Sequence, residues 1–168
     1  LRRGAVPIVE PGLAELVAAH LASGRLSFTA DVAEAVPGAE VALLCVGTPP
    51  RPDGDPDLRQ IARAAQQATA AATADLILIV KSTVPPGSCE ALEILVASQK
   101  PGIRVSVASN PEFLREGQAV WDFFHPDRVV VGAGDKSVGE TVAALYPADW
   151  PLLVCDRRSA ELVKYAAN

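Results

Sequence analysis

The stretch "DLILIVKSTVPPG" (Asp75 to Gly87) decides the fold of this chain, because it joins an apolar run to a turn rich in hydroxyls and prolines. The aliphatic residues from Leu76 to Val80 predict a short strand covered on both faces, as strands in parallel sheets are. The turn after it would lie at the carboxyl end of the strand, where open parallel sheets bind their ligands. The stretch therefore predicts both a sheet and the edge of that sheet that carries function.

Comparable apolar runs recur along the chain and alternate with amphipathic patterns. Strands are predicted at 25–29, 40–47, 75–82, 103–109, 128–133 and 151–156. Helices are predicted at about 12–20, 31–36, 57–73, 87–99, 135–146 and 157–168, from apolar periodicity. Strand and helix in alternation favour parallel pairing with right-handed crossovers. The predicted fold is α/β, a doubly wound and mainly parallel sheet.

Composition excludes several classes of protein. Hydrophobic residues make up 49% of the 168 residues and charged residues 21%, which excludes a disordered chain. A formal net charge of −5 gives no basic surface, so we expect no nucleic-acid partner. No apolar run reaches the roughly 18 residues of a membrane span, so we expect no membrane partner either.

Cysteine usage points to a reducing compartment. Cys45, Cys89 and Cys155 lie far apart without a CxxC spacing, and the two histidines are not clustered, so no metal site is expected. Cys45 lies within an apolar run, which predicts a thiol buried in the core. An odd number of thiols fits reduced cysteines, and we expect a cytoplasmic protein.

Small polar residues and prolines follow three of the predicted strands. The segments are "VGTPP" (46–50), "KSTVPPG" (81–87) and "SNPEFLREG" (109–117). Each hydroxyl taken alone is explained as well by capping of the next helix as by binding. Hydroxyls can also contact sugar or phosphate oxygens without adding charge. Three such segments at one sheet edge favour ligand binding over helix capping as their role.

The segment "SNPEFLREG" places Glu112 and Glu116 four residues apart around Phe113 and Leu114. Two glutamates at this spacing on an exposed helix usually form a solvated face. The Phe-Leu pair, however, calls for burial, which would draw the segment onto the sheet edge. Glu112 directly after Asn-Pro would lie near a helix start, where the helix dipole keeps a carboxylate ionised. We therefore predict a functional role for both glutamates.

These segments together carry a family resemblance. "PIVEPGLAELV", "FTADVAEAV", "VGTPPRPDGDPDL", "KSTVPPG", "SNPEFLREGQAVWDFFHPDRVVVG" and "DRRSAELVKYAAN" resemble the nucleotide-sugar 6-dehydrogenase family, in its order and with compatible spacing. The resemblance implies NAD as cofactor and UDP-glucose as substrate. It implies two oxidations at C6, to UDP-glucuronate, through a thiohemiacetal and a thioester on a cysteine. It also implies a homodimer built around a linking helix and a role in polysaccharide biosynthesis.

The resemblance assigns catalytic roles to four residues. Glu112 matches an acid/base that acts through water, and Thr83 matches a position near the reacting centre. Lys164 and Asn168 match donors that face the C6 oxygen. The chemistry agrees, because hydride removal from an alcohol needs a proton acceptor and the resulting oxyanion needs preorganised donors. The alternative for Lys164 and Asn168 is an ordinary amphipathic helix with a solvated lysine.

The resemblance also assigns binding roles. Thr48, Thr83 and Glu116 match positions that contact NAD. The positions implied to bind the substrate are Glu112, Phe113, Leu114, Arg115, Glu116, Lys164 and Asn168.

Two family features are missing from the sequence. No GxGxxG fingerprint opens the chain, and the family's cysteine-bearing segment would lie beyond Asn168. We therefore expect a fragment that is inactive alone, with none of its cysteines as nucleophile. Residues 1–155 would form a partial, Rossmann-like NAD-binding domain that lacks its first strand–helix–strand, and residues 156–168 would start the linking and dimerisation helix.

Several alternatives stay open. The substrate could be GDP-mannose or another nucleotide sugar instead of UDP-glucose. The chain could also be a truncated, non-catalytic module for nucleotide binding or dimerisation.

Overall fold

A computed structural model describes residues 5–167. Those residues fall into two compact units, one made of the segments up to Asp31 and Phe113–Asp127, the other of Val32–Glu112 and the chain from Arg128 onward. The elements in chain order are α1 (Leu13–Ala22), α2 (Val32–Ala35), β1 (Val41–Leu44), α3 (Arg59–Ala71), β2 (Leu76–Val80), α4 (Ser88–Val96), β3 (Val105–Ser109), α5 (Ala119–Phe124), β4 (Val129–Gly132), α6 (Lys136–Ala143), β5 (Leu152–Cys155) and α7 (Arg157–Ala167). None of the helices within 5–167 has the length and apolar character needed to cross a bilayer.

The second unit is built on a five-stranded sheet in the order β1-β2-β3-β4-β5. β1, β2 and β3 pair in parallel, and so do β4 and β5. The predicted α/β class and mainly parallel sheet are confirmed. One step is not parallel: β3 and β4 are antiparallel and meet through the single pair Ser109 and Gly132. The connection between them carries only α5, which belongs to the other unit, so no crossover helix returns the chain in parallel.

Side chains on both faces of the sheet are buried, as predicted from the "LILIV" run. Leu78 and Val80 pack with α3 and α4 in one hydrophobic cluster, whereas Ile79 packs with α6 in another. All three strand residues have no exposed surface. Alternate residues of one strand thus enter opposite cores, which is the arrangement of a doubly wound sheet.

One predicted strand is wrong, and one helix was not predicted. Residues 25–29 form no strand; the Leu26 N–H instead donates to the His20 carbonyl and closes the end of α1. A lone extended segment has no neighbour with which to form a ladder. The sequence did not predict helix α5. The Glu10 carboxylate accepts from Ala119 N, the first residue of α5, at 3.0 Å, and from Gly117 N, two residues earlier, at 2.6 Å. A partner more than 100 residues away cannot be read from local pattern.

Candidate functional site

The carboxyl ends of the three parallel strands lie level with one another. In the strand register, Leu44 pairs with Val80, and Val80 pairs with Ser109. The segments that follow these residues therefore leave the sheet at one edge, as the sequence predicted.

The loops after β1 and β2 are joined by hydroxyl hydrogen bonds. Thr48 Oγ1 donates to the Thr83 carbonyl at 2.9 Å, and Ser82 Oγ donates to the Val46 carbonyl at 2.6 Å. The residue at the N-cap of α4 is Gly87, with φ +94°, so Thr83 does not take the capping position. Thr48 and Thr83 are both half-buried and adjacent at this edge.

Lys164 and Glu112 form an ion pair at the same edge. Lys164 Nζ lies 3.2 Å from Glu112 Oε1. The lysine is 7% exposed although it lies near the end of α7, whereas the glutamate is half-buried. The expectation of a helix start at Glu112 is wrong, because the segment is irregular until α5 begins at Ala119. A lysine ammonium, not a helix dipole, is the charge that lies beside Glu112.

Asn110 is the centre of a second set of polar contacts, next to the Lys164–Glu112 ion pair. Its Oδ1 accepts from Lys81 Nζ at 3.0 Å and from Tyr146 Oη at 2.5 Å, and its Nδ2 donates to the Val130 carbonyl at 2.8 Å. Asn110 is 1% exposed, so these bonds occupy an amide that has almost no access to water. Asn110 thus ties the end of β2 to β4 and to Tyr146, which follows α6.

The charge of Lys81 is set by its surroundings. Burial lowers the pKa of its ammonium, and the like charge of Lys164 acts in the same direction. Cys45 and Glu112 oppose the decrease. Lys81, Lys164 and Glu112 therefore interact electrostatically as one cluster within the sheet unit.

A buried carboxylate on α7 bonds the start of α4. Glu161 is 2% exposed, and its two oxygens accept from Gly87 N at 2.6 Å and Cys89 N at 2.8 Å. Glu161 precedes Lys164 by three residues, so the two side chains share the buried face of α7.

The predicted site residues are divided between the two compact units. Phe113, Leu114, Arg115 and Glu116 belong to the unit that holds α1 and α5, whereas Glu112 belongs to the sheet unit. The prediction that the Phe-Leu pair is buried is wrong for Leu114, which is 39% exposed. Phe113 is half-buried.

Arg115 and Asn168 complete the predicted set. Arg115 is exposed and bonds Asp122 at 2.6 Å, and this hydrogen bond raises the pKa of the Arg115 guanidinium. Asn168 lies outside the described residues.

The cysteines differ in burial but share a raised pKa. Cys89 is fully buried, and burial raises the pKa of its thiol. Burial likewise raises the pKa of Cys155 and of Cys45. The prediction that Cys45 lies in the core is wrong: β1 ends at Leu44 and Cys45 is exposed. Within residues 5–167, no group of side chains is arranged to hold a metal ion.

Sequence reasoning missed Lys81, Asn110, Tyr146 and Glu161. Asn110 lies inside the quoted "SNPEFLREG" segment, and an amide directly after a buried strand was the available signal. Glu161 carried a signal too, since a glutamate on the buried face of an amphipathic helix requires a partner. Its partners are backbone groups some 70 residues earlier in the chain, which no local pattern identifies.

Comparison with known proteins places this geometry in a family. Residues 1–149 match the family model described as "UDP-glucose/GDP-mannose dehydrogenase family, NAD binding domain". UDP-glucose 6-dehydrogenase of Pseudomonas aeruginosa is 44% identical over the whole chain, and GDP-mannose 6-dehydrogenase of Azotobacter vinelandii is 39% identical. The chain spans about two fifths of these curated relatives, 39% of the first and 40% of the second.

Solved structures agree with the sequence comparison. A UDP-glucose dehydrogenase from the archaeon Pyrobaculum islandicum superposes with a TM-score of 0.93 at 48% identity, over 99% of this chain and 40% of that one. A GDP-mannose dehydrogenase from Pseudomonas aeruginosa, solved as a ternary complex, gives a TM-score of 0.89 at 35% identity over the same shares. The chain therefore belongs to the UDP-glucose/GDP-mannose dehydrogenase family, through the NAD-binding domain of that family.

Proposed function

We propose that this chain is the NAD-binding part of a longer dehydrogenase that oxidises UDP-glucose twice at C6, to UDP-glucuronate. The observation that carries the proposal is the ion pair between Lys164 and Glu112 at the carboxyl edge of the sheet. The pair places a carboxylate and a hydrogen-bond donor with 7% exposure together at the edge where parallel sheets bind ligands, and the proposed reaction needs both groups.

The matched domain is the family's NAD-binding domain, so the cofactor is NAD. The residues present fit it, since Thr48 and Thr83 offer half-buried, uncharged hydroxyls next to each other at the strand ends. Thr48 and Thr83 would hold the cofactor. Glu116 stays a proposed cofactor contact, from the resemblance of its segment alone. When bound, NAD supplies the acceptor for the hydride that leaves C6.

Glu112 and Lys164 divide the remaining chemistry of the first oxidation. The C6 hydroxyl must lose a proton as the hydride leaves, and the Glu112 carboxylate accepts that proton through a water molecule. Lys164 donates a hydrogen bond to the C6 oxygen and stabilises the negative charge that develops there. Asn168, four residues later in the sequence, would supply a second donor.

The second oxidation requires a thiol nucleophile, and we propose that it comes from outside this chain. A nucleophilic cysteine needs an accessible thiolate at neutral pH. Cys89 has no exposed surface, and burial raises the pKa of each of Cys45, Cys89 and Cys155. None of the three meets the requirement.

The proposed domain organisation follows the elements. Residues 1–155, through the end of β5, form the cofactor domain, and residues 156–168 begin the helix that links it to the rest of the enzyme and to a second copy. Leu162 and Tyr165 are exposed at 56% and 47% on α7, which supports a helix that another segment covers.

UDP-glucose is preferred over GDP-mannose as the substrate because of the identities of the relatives. Three relatives named UDP-glucose 6-dehydrogenase share 44%, 44% and 41% of their residues with the chain, against 39% for the GDP-mannose enzyme. The difference is small, so the experiment must include both sugars.

The test is to express the uninterrupted reading frame that contains this chain and to follow NADH formation with UDP-glucose, GDP-mannose and UDP-N-acetylmannosamine. We expect two NADH for each UDP-glucose and little with the other sugars. The 168-residue chain alone should form none. Activity with only GDP-mannose would overturn the proposal that UDP-glucose is the substrate. Turnover by the isolated chain would overturn the proposal that the nucleophile comes from outside it.

A further inference from the structure

We propose that Glu161 is a positioning residue, which acts by fixing Lys164 and the turn that carries Thr83 relative to each other. The inference rests on the proposed function of Lys164, and it assigns a role to a carboxylate that the mechanism does not use.

The contacts of Glu161 are unusual for a helix glutamate. Its side chain is buried within the sheet unit, at 2% exposure, and accepts from Gly87 N and Cys89 N at 2.6 and 2.8 Å. These N–H groups belong to the start of α4, where a helix has donors without internal partners. A buried carboxylate accepting from a helix start is stabilised by both the hydrogen bonds and the helix dipole.

Those two hydrogen bonds set the relation between α7 and the Ser82–Gly87 turn. The turn leaves β2, contains Thr83 and ends at the Gly87 N–H that Glu161 holds. Lys164 lies on the same face of α7 one turn later and meets Glu112. A single side chain thus connects the proposed donor of the C6 oxygen with the proposed cofactor turn.

Packing holds α7 where Glu161 can act. Gly132 lies so close to α7 that an added Cβ would be 2.5 Å from Ala160 Cβ and 2.9 Å from Arg157 Cα. Arg157 donates to Glu93 at 2.7 Å, and the other oxygen of Glu93 accepts from Val107 N at 3.0 Å. α7 therefore packs closely on β4, and Glu161 adds a buried contact between α7 and α4.

The experiment is a double-mutant cycle between Glu161→Gln and Lys164→Ala in the full-length enzyme. Glutamine keeps the shape but turns one acceptor into a donor that faces a backbone N–H. Because Glu161 acts through Lys164, Glu161→Gln should lower kcat by about 10- to 100-fold, as a misplaced catalytic group does. KM for NAD should rise as well, because the turn that carries Thr83, a proposed cofactor contact, loses its hydrogen bond to α7.

In the Lys164→Ala background, Glu161→Gln should have almost no further effect on kcat. Glu90→Gln is the matched control: Glu90 accepts from Arg158 at 2.7 Å between the same two helices but is not part of the buried contact. It should leave kcat unchanged. If Glu161→Gln fails to fold, Glu161→Asp, which keeps the charge and shortens the reach, takes its place in the cycle.

Two kinetic results would overturn the inference. One is that the effects of Glu161→Gln and Lys164→Ala on kcat multiply, and the other is an equal loss of kcat in Glu90→Gln. Hydrogen exchange separates this failure from failure of the proposed function. The Gly87 and Cys89 amides should be protected in the wild type and exchange at least tenfold faster in Glu161→Gln, even if no nucleotide sugar is oxidised. Unchanged protection would also overturn the inference.

Discussion

Lys164 Nζ lies 3.2 Å from Glu112 Oε1, and this contact joins the last helix of the chain to the segment that leaves the third strand. The two residues are 52 positions apart in the sequence. Both belong to the sheet unit, so their pairing depends on how α7 packs against β4 and α4. The chemistry proposed for the site therefore depends on tertiary packing more than on either motif alone.

Substitution Lys164→Met tests the role of the ammonium. Methionine preserves most of the buried volume of the side chain and removes only the charge and its hydrogen bonds. We expect kcat with UDP-glucose to fall about 10²- to 10³-fold, the usual loss when one oxyanion donor is removed. KM for NAD should be nearly unchanged, and steady-state NADH formation measures both constants.

Lys136→Met provides the control for that substitution. Lys136 is an exposed lysine whose Nζ lies 3.5 Å from Glu140 on α6, away from the proposed chemistry. It should leave kcat unchanged. A Lys164→Met enzyme with normal kcat and a raised KM for the sugar would assign Lys164 to ground-state binding instead.

Glu112 and Glu116 should differ in what their substitution changes. Glu112→Gln removes the proposed proton acceptor, so kcat should fall about 10²- to 10⁴-fold, the range for general-base catalysis. Glu116→Gln removes a proposed cofactor contact and should chiefly raise KM for NAD. The comparison uses NAD titrations at saturating UDP-glucose, and similar losses of kcat in both variants would contradict separate roles.

Substitution Asn110→Ala should destabilise the fold. It leaves the half-buried Lys81 ammonium and the Tyr146 hydroxyl without the oxygen they share, and the Val130 carbonyl without its donor. Losing buried partners of this kind costs about 2–4 kcal/mol in total. Urea unfolding of the chain measures the change, and Tyr146→Phe, which removes one bond, should cost about 1 kcal/mol. A smaller loss for Asn110→Ala than for Tyr146→Phe would show that the amide is not the centre of the network.

How far the sequence predicts this molecule depends on the range of the interactions involved. The run Leu76–Val80 predicted a strand buried on both faces, and this signal is local. The antiparallel step between β3 and β4 has no local signal, because it depends on where the connection between the strands packs.

The candidate site shows the same difference between local signals and long-range contacts. Threonines and glutamates after strand ends were visible as motifs, and their common edge followed from parallel pairing. The burial of Lys164 and the role of Glu161 were not visible, because the groups they contact come from residues 87, 89 and 112. An amphipathic helix with a lysine looks the same in sequence whether that lysine faces water or a carboxylate.

The lowered pKa of Lys81 predicts how stability depends on pH. Burial lowers the pKa of this lysine below its value of about 10.4 in an unfolded chain. In the window between the two values the unfolded chain binds a proton that the folded protein does not, so the free energy of unfolding rises with pH. Lys81→Met removes this contribution. The stability of the wild type relative to Lys81→Met should therefore increase as pH rises toward 10.4 and level off above it.

Groups near Lys81 must be held constant in that comparison. Cys45 must be controlled too, because burial raises the pKa of its thiol and its charge interacts with Lys81. Both variants should therefore carry Cys45→Ser, while Glu112 and Lys164 stay as they are. Urea unfolding at several pH values from neutral to alkaline then isolates the lysine. A stability difference that falls with rising pH would mean that the paired Asn110 and Glu112 outweigh burial and raise the pKa of Lys81.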